Sequence, residues 1–405
     1  MSTTTTYIYI IGDSEADLWG LSGRERLQRM VNAAKQATLT KDLEKIPAKA
    51  PIILISANHL FDARVLTALV GMQEQMVLYN NDNVPVAIRT EGYEAPRLLR
   101  SILSEPNGHA VTDLPRYGIE DLKIDFQQNL KKKDPPYVLP INPTNRKQLE
   151  AELFAGSYKG VTDLVTKWLW PAPAFWSTHF CVRHRFQPNH VTLLSLVLAI
   201  LAGIAFWHGH FGVGLIMGWF MTFLDTVDGK LARVTVTSSR LGDVLDHGLD
   251  IVHPPLWYWA WGIGLATSLT PIIGLEILIG LMFLGYIGGR LCEGAFQLWL
   301  APFDIFIWQQ LDSFNRLITA RRNPNLILLT YGWWIERPDL GLLFVVAWHL
   351  ISTAVLTARL LSGWRMWRKH GPLRSWLQDI DPGRDRGMLA VKIFTRAPIK
   401  LKRHN

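Results

Sequence analysis

Two segments decide the fold of this chain: Asp225-Thr-Val-Asp228-Gly229-Lys-Leu-Ala232-Arg233 and, after eight intervening residues, Gly242-Asp-Val-Leu-Asp246-His-Gly-Leu-Asp250. The first carries two carboxylates three residues apart, and the second carries a pair four apart, Asp246 and Asp250, besides Asp243. Residues at these spacings share one face of an α-helix, so each segment predicts a helix with a pair of acids on one side. Four carboxylates in an apolar setting need cations among them. Their oxygens suit hard divalent ions such as Mg²⁺, Mn²⁺ or Ca²⁺.

The complete pattern D-x2-D-G-x2-A-R-x8-G-x3-D-x3-D resembles the signature of the CDP-alcohol phosphotransferase family. In that family an alcohol attacks the β-phosphate of a CDP-linked donor and CMP leaves. The resemblance implies that Asp225, Asp228 and Asp246 hold metal, with two Mg²⁺ or Mn²⁺ ions expected. It also implies that Asp250 lies close to the metal and is the general base.

The same signature implies a nucleotide site on the two helices. Small side chains let a nucleotide approach the backbone closely, and an arginine can pair with a phosphate. The residues expected to bind the nucleotide are Thr226, Asp228, Gly229, Ala232, Arg233 and Gly242. The structural alternative for the acids is a network of interhelical ion pairs with Lys230, Arg233 and Arg240.

The region around the signature reads as a membrane domain, residues 188–370, with six transmembrane helices. A span needs about 20 apolar residues. The apolar runs are 191–207, 211–227, 241–266, 271–289, 325–335 and 340–362. The fifth is short, so we expect either a helix extended through 316–324 or a re-entrant pair.

Loop charge predicts the orientation. Basic residues cluster between the second and third runs, between the fourth and fifth, and after the sixth, whereas the opposite loops hold only Arg337. By the positive-inside rule, the soluble part and the active site face the cytoplasm, in a multi-pass protein of the cell membrane. The net charge of +8 lies largely beside apolar segments, which fits an anionic membrane face rather than nucleic acid.

Residues 1–147 predict a soluble α/β domain with its linker. Short β-branched strands at 7–12, 51–56, 75–79 and 85–88 alternate with helices at 23–37 and 62–72, which favours a parallel sheet. The segment resembles the sugar-nucleotidyltransferase fold of bifunctional inositol-phosphate cytidylyltransferases, but its first loop lacks their Pro-Lys. Asn58 stands where those enzymes have a metal-binding Asp. We therefore expect an inactive docking or regulatory domain, with Asp13, Arg24 and Asp62 as the remaining functional candidates.

Two further segments flank the membrane domain. Residues 148–187 combine Trp with Lys and Arg and are interrupted by Pro171 and Pro173, which predicts an amphipathic juxtamembrane helix in the bilayer interface. The alternative is a core helix of the soluble domain. Residues 371–405 predict a basic cytoplasmic tail, solvated or resting on lipid.

The acceptor site is expected near cytoplasmic arginines, which hold the phosphate of phosphorylated alcohols in similar proteins. The candidates are Arg290, Glu293, Arg316, Arg321 and Arg322. The expected partners are CDP-diacylglycerol or a similar donor, an alcohol or alcohol phosphate as acceptor, membrane lipid, and a second copy in a homodimer. The rival functions are a bifunctional enzyme that also makes the CDP-alcohol, and a divalent-metal transporter.

Overall fold

A computed structural model of the chain describes residues 5–34, 37–104, 114–122, 124, 126–237, 240–268, 274–381 and 383–395. The soluble domain is an α/β structure. Its strands are β1 Thr6–Ile11, β2 Ala37–Thr40, β3 Pro51–Ser56, β4 His59–Phe61, β5 Met76–Tyr79, β6 Pro85–Glu91, β7 Arg116–Tyr117 and β8 Val138–Pro140. Its helices are α1 Gly23–Ala33, α2 Ala63–Gly71 and α3 Ala95–Ser104.

The main sheet has the strand order β2-β1-β3-β6-β5-β7 and is mixed. The expected parallel sheet is wrong at β6, which runs antiparallel to both β3 and β5. The cause is the tight turn between β5 and β6. The Asn80 side chain accepts from the backbone N–H groups of Asp82 and Val84, and Asn83 adopts a positive φ of 61°. A hairpin of this kind joins antiparallel strands only.

The second half of the chain is helical. Its long helices are α6 Pro188–Trp207, α7 Phe211–Val234, α8 Arg240–Ser268, α9 Leu275–Trp299 and α12 Pro338–His370, with α10 Gln310–Ile318 and α11 Arg322–Trp334 between the last two. Within the described residues, α6, α7, α9 and α12 are long and apolar enough to cross a membrane. The protein is therefore a membrane protein with an α/β domain in front.

The fifth apolar run forms α11, which has 13 residues and does not continue back through 316–324. The expected extension is wrong because the chain is extended at Thr319 and Arg321, between α10 and α11. Pro324 lies in the first turn of α11 and has no N–H to donate to the preceding turn. The helix accordingly begins at Arg322.

Although it is short, α11 reaches the far end of its neighbour α7. Near its start, Arg322 contacts the Met221 sulfur at 3.8 Å. In its last turn the Trp333 ring would lie 2.6 Å from a Cβ added to Gly212, in the first turn of α7. At the same end of the bundle, Trp261 of α8 donates to the carbonyl of Pro338. One end of the bundle therefore contains the first turns of α7 and α12, the end of α11 and part of α8.

The segment predicted as a juxtamembrane helix forms α4 Arg146–Gly156, a π-turn at Val165–Leu169 and α5 Pro171–Arg183. Each of the two interpretations given for this segment fits one of these helices. Leu149 of α4 packs against Leu18 and Leu60 of the soluble domain, as a core helix would. In contrast, Trp176 and Phe180 of α5 are 72% and 57% exposed, which suits a bilayer interface.

The predicted solvated tail is wrong over residues 375–380 and 390–394. Two short helices, α13 Trp376–Asp379 and α14 Leu389–Phe394, fold back onto α10. Leu377 and Phe394 are fully buried, and the Trp376 indole donates to the Ser313 hydroxyl. The prediction followed the many basic residues of this segment and overlooked the apolar residues between them. Residues 396–405 lie outside the described part.

Candidate active site

The two acids of the first segment project from α7 toward neighbouring helices. Asp228 is 5% exposed, and its carboxylate accepts a 2.7 Å hydrogen bond from the Thr192 hydroxyl of α6. Asp225 forms an ion pair with Arg322 at the start of α11. Asp225 also lines a crevice together with Thr192 and His253. The acids therefore lie where α6, α7, α8 and α11 come together.

The other signature residues of α7 lie on the turns around this pair. The Thr226 hydroxyl donates to the backbone carbonyl of Thr222, 3.2 Å away in the preceding turn of the same helix. This is a common use of a hydroxyl in a helix. A Cβ added to Gly229 would lie 3.6 Å from the Arg233 guanidinium. Arg233 also donates to the Ser157 carbonyl at 3.2 Å. Arg233 thus links the signature helix to the C-terminal end of α4.

The second acid pair belongs to the first half of α8. The backbone of this helix is described, but the side chains of Gly242, Asp246 and Asp250 lie outside the described part, as does that of Arg240. Among the described side chains, no group of three acids, imidazoles or thiols converges on one point. The helical repeat places positions 246 and 250 on the same face as His253, whose ring lines the crevice with Asp225.

The predicted acceptor residues divide into two groups. Glu293 of α9 pairs with Arg290 at 3.6 Å, as its spacing predicted, and also with Arg321. Arg316 and Arg321 both lie over the Phe306 ring, at 5.5 and 5.7 Å from its centroid. Burial, reinforced by Arg321, lowers the pKa of Arg316 to about 10, so the residue remains charged at neutral pH. Arg322 stands apart from this group because it pairs with Asp225.

Sequence reasoning missed polar residues that line a small cavity beside these arginines. Tyr286, His349 and Ser352 line it together with Arg290 and Arg321. His349 is 2% exposed, and its ring lies 3.3 Å from the Asn325 amide nitrogen. A signal was available, because ionisable and polar residues inside apolar runs are costly and usually functional.

In the soluble domain, the loop that would hold nucleotide phosphates is closed by its own side chains. The Asp13 carboxylate accepts from the backbone N–H of Arg24 at 2.9 Å, and the Ser14 hydroxyl accepts from that of Gly23 at 2.7 Å. These N–H groups begin α1, where an anion would otherwise bind. Arg24 itself folds back onto the carbonyls of Ile10 and Gly12.

The remaining candidate of the soluble domain, Asp62, has a structural role. Asp62 caps α2 and pairs with Arg64 at 2.6 Å. The Asn58 amide oxygen would lie 3.4 Å from a Cβ on Gly12, so it stands beside the closed loop. The Asp13 and Ser14 side chains and the Arg24 guanidinium are thus bound within the segment between β1 and α1.

Residues 185–291 match the family model of the CDP-alcohol phosphatidyltransferases. The match spans both acid pairs and most of the surrounding helices. The resemblance read from the signature is confirmed: the chain carries a CDP-alcohol phosphatidyltransferase domain, in a family that uses divalent cations, a CDP-linked donor and an alcohol acceptor.

Three curated relatives show the range of this domain. The chain is 31% identical over 136 residues to cholinephosphotransferase 1 of Gallus gallus (29% of this chain, 37% of that protein). It is 35% identical over 91 residues to phosphatidylinositol phosphate synthase of Streptomyces avermitilis (20% and 37%). It is 27% identical over 157 residues to the bifunctional IPC transferase and DIPP synthase of Rubrobacter xylanophilus (39% and 33%). The matches span about a third of each relative's length.

Proposed function

We propose that the chain transfers a phosphatidyl-type group from a CDP-linked lipid, such as CDP-diacylglycerol, to an alcohol phosphate and releases CMP. The observation that carries the proposal is the position of the acid pair. Asp225 lines a crevice that shares Leu196 and His253 with an apolar groove, and it pairs with Arg322, the chain neighbour of Arg321 in the arginine group. The comparisons support a phospholipid-synthesis transferase and give no support to a metal transporter.

The donor set fits a divalent ion. Asp225 and Asp228 are one helical turn apart, and Asp228 is oriented by Thr192 as metal-binding carboxylates commonly are. Asp246 and Asp250 would complete the set from α8. When bound, Mg²⁺ or Mn²⁺, two ions by the resemblance, would neutralise charge on the diphosphate. Asp225 would then exchange its ion pair with Arg322 for the metal, which leaves Arg322 beside the donor.

An apolar groove between α6 and α8 supports a lipid substrate. It is lined by Leu196, Ile200, Val252 and Trp257 among others, and it shares Leu196 and His253 with the crevice at Asp225. The groove opens on the side of the bundle, where Ile200 is 55% exposed. An acyl chain in this groove would hold its phosphate end at the acids.

The arginine group supports a phosphorylated acceptor. Glu293 pairs with both Arg290 and Arg321, and the carboxylates nearest to Arg316 are those of Asp163, Glu293 and Asp304. The buried Nη1 of Arg316 has no hydrogen-bond partner among the described residues. A phosphate would supply acceptor oxygens to this surplus of guanidinium donors, and Tyr286 and Ser352 would contact the hydroxyls of a polyol.

The remaining elements of the proposal are topology and assembly. Six crossings, formed by α6, α7, α8, α9, α11 and α12, would place both acid pairs on the cytoplasmic side of the cell membrane. The reach of α11 to the first turn of α7 supports the fifth crossing despite its length. A homodimer through the membrane domain is part of the proposal by resemblance alone.

We expect CMP release when the purified full-length protein is given CDP-diacylglycerol, Mg²⁺ and an alcohol phosphate such as inositol phosphate or glycerol phosphate. CMP is measured by chromatography and the lipid product by mass. Free alcohols and diacylglycerol with CDP-choline serve as the alternative substrate pairs. Turnover with CDP-choline and diacylglycerol alone would overturn the proposed substrates, and no CMP with any pair would overturn the transferase.

The substitution Arg321→Gln is expected to raise KM for the alcohol phosphate by about tenfold or more, since it removes a charged hydrogen bond.

We further propose that the soluble domain makes no CDP-alcohol. Its phosphate loop is filled by Asp13 and Ser14, and a phosphate would have to displace a carboxylate. The bifunctional relative supports the rival hypothesis. Full-length protein with CTP, Mg²⁺ and each alcohol phosphate should release no pyrophosphate above a no-enzyme control, in an assay coupled to pyrophosphatase. Pyrophosphate release that equals the rate of CMP release would establish the bifunctional enzyme instead.

A further inference from the structure

The soluble domain is docked on the end of the signature helix. Arg26 of α1 is 4% exposed, and its Nη2 donates to the carbonyl of Val234 at 2.8 Å and to that of Leu18 at 2.9 Å. Arg29 donates to the carbonyl of Thr235 at 2.7 Å. Guanidinium groups at a helix C-terminus satisfy its last carbonyls and favour its dipole. The domain therefore holds the cytoplasmic end of α7 in place.

Beside this contact, the soluble domain and α7 enclose a cavity of about 930 Å³, counting space open to solvent. Two of its lining residues, Ala232 and Arg233, belong to the signature. The soluble domain and linker contribute Arg26, Lys132 and Tyr137, among others. The cavity is thus shared between the transferase helix and a domain whose own phosphate loop is closed.

The lining of this cavity carries a surplus of positive charge. Asp62 and Asp134 line it but are both paired with Arg64, and Lys132 pairs with Asp134 at 2.8 Å. The Nε of Arg26 is buried and has no hydrogen-bond partner among the described residues. Burial lowers the pKa of Arg26 to about 10, so it is charged at neutral pH. A buried cation with an unused donor favours an anionic ligand.

The cavity lies on the same side of α7 as the acids. Positions 225, 228 and 232 of α7 recur at helical spacing, and Asp225 and Ala232 each line one of the two cavities. At 1.5 Å per residue, Ala232 is about 10 Å along the axis from Asp225. A nucleoside monophosphate can bridge that distance if its phosphate is at the acids.

We propose that the soluble domain forms one wall of the donor-nucleotide site, with the CMP half of the donor in the cavity between Arg26 and Arg233. This inference rests on the proposed transferase function. It explains why a domain with a closed phosphate loop is bound so closely to α7. The lipid half of the donor extends the other way, into the groove between α6 and α8.

Binding of CMP with Mg²⁺ to the full-length protein in detergent, measured by calorimetry, tests the inference. Ala63 is exposed at the start of α2 and lines the cavity, so Ala63→Trp fills it without touching the docking bonds. We expect this substitution to raise Kd for CMP by about tenfold or more, the usual effect of losing a charged hydrogen bond or its site. The matched control is Thr67→Trp, one turn further along α2, also exposed and outside the lining.

Arg26→Met provides the second test, with Arg29→Met as its control. Both substitutions remove a guanidinium that docks α1 onto α7, but only Arg26 lines the cavity. A rise in Kd for CMP with Arg26→Met alone, partly restored in Arg26→Lys, supports the inference. If Arg26→Met does not fold, the Ala63→Trp result decides. Wild-type affinity in both Ala63→Trp and Arg26→Met would overturn the inference and leave the transferase intact, whereas no CMP binding by the wild type would count against the transferase itself.

Discussion

Replacing Asp225 or Asp228 with asparagine is expected to lower the rate of CMP release by about a thousandfold. Metal bound by these carboxylates would supply several kcal/mol of charge stabilisation at the diphosphate, and each 1.4 kcal/mol corresponds to about tenfold in rate. Asparagine keeps the shape of the side chain and removes the charge. The measurement is initial CMP release by the full-length protein with CDP-diacylglycerol and the preferred alcohol phosphate, over a range of Mg²⁺ concentrations.

Thr192→Val is the matched control for Asp228→Asn. It preserves the shape of the Thr192 side chain and removes only the hydroxyl that donates to Asp228. Loss of a residue that orients a metal ligand costs about 10- to 100-fold in activity or metal affinity, so excess Mg²⁺ should restore part of the rate in Thr192→Val. Turnover within a few fold of wild type in both Asp225→Asn and Asp228→Asn would refute the metal site.

The sequence was sufficient for the features set by local spacing. Fixed offsets between Asp225 and Asp250 identified the family domain, and helical spacing predicted the Arg290–Glu293 ion pair. The strands of the soluble domain were visible as short β-branched runs. Each of these features depends on residues that are close in the chain, so one helix or strand is enough to produce it.

Features that depend on contacts between distant segments could not be predicted. Nothing near Arg322 indicates that Asp225, 97 residues earlier, is its partner. The docking of Arg26 on Val234 spans 208 residues. The fifth apolar run was judged short because its length was compared only with the width of a bilayer. In the structure, the length of α11 matches the part of α7 between Gly212 and Asp225. The closure of the loop between β1 and α1 likewise depends on a contact between Asp13 and Arg24, which the sequence does not show.

Asp250→Asn is expected to lower kcat by about 10²- to 10⁴-fold, the usual contribution of a general base, with Kd for CMP changed by only a few fold. Position 250 is one helical turn before His253, whose ring lines the crevice with Asp225, so the helical repeat puts both positions on one face of α8. A carboxylate there can take the proton of the attacking alcohol. The amide that replaces it cannot, although three acids remain for the metal.

The separation between turnover and binding distinguishes a base from a metal ligand. If Asp250 acts mainly on the proton, Asp250→Asn retains CMP binding and its rate does not recover with added Mg²⁺. If it acts mainly on the metal, CMP binding weakens and high Mg²⁺ restores part of the rate. Undiminished turnover in Asp250→Asn would remove the base from the proposed reaction, and the alcohol would then have to lose its proton to another group at the crevice.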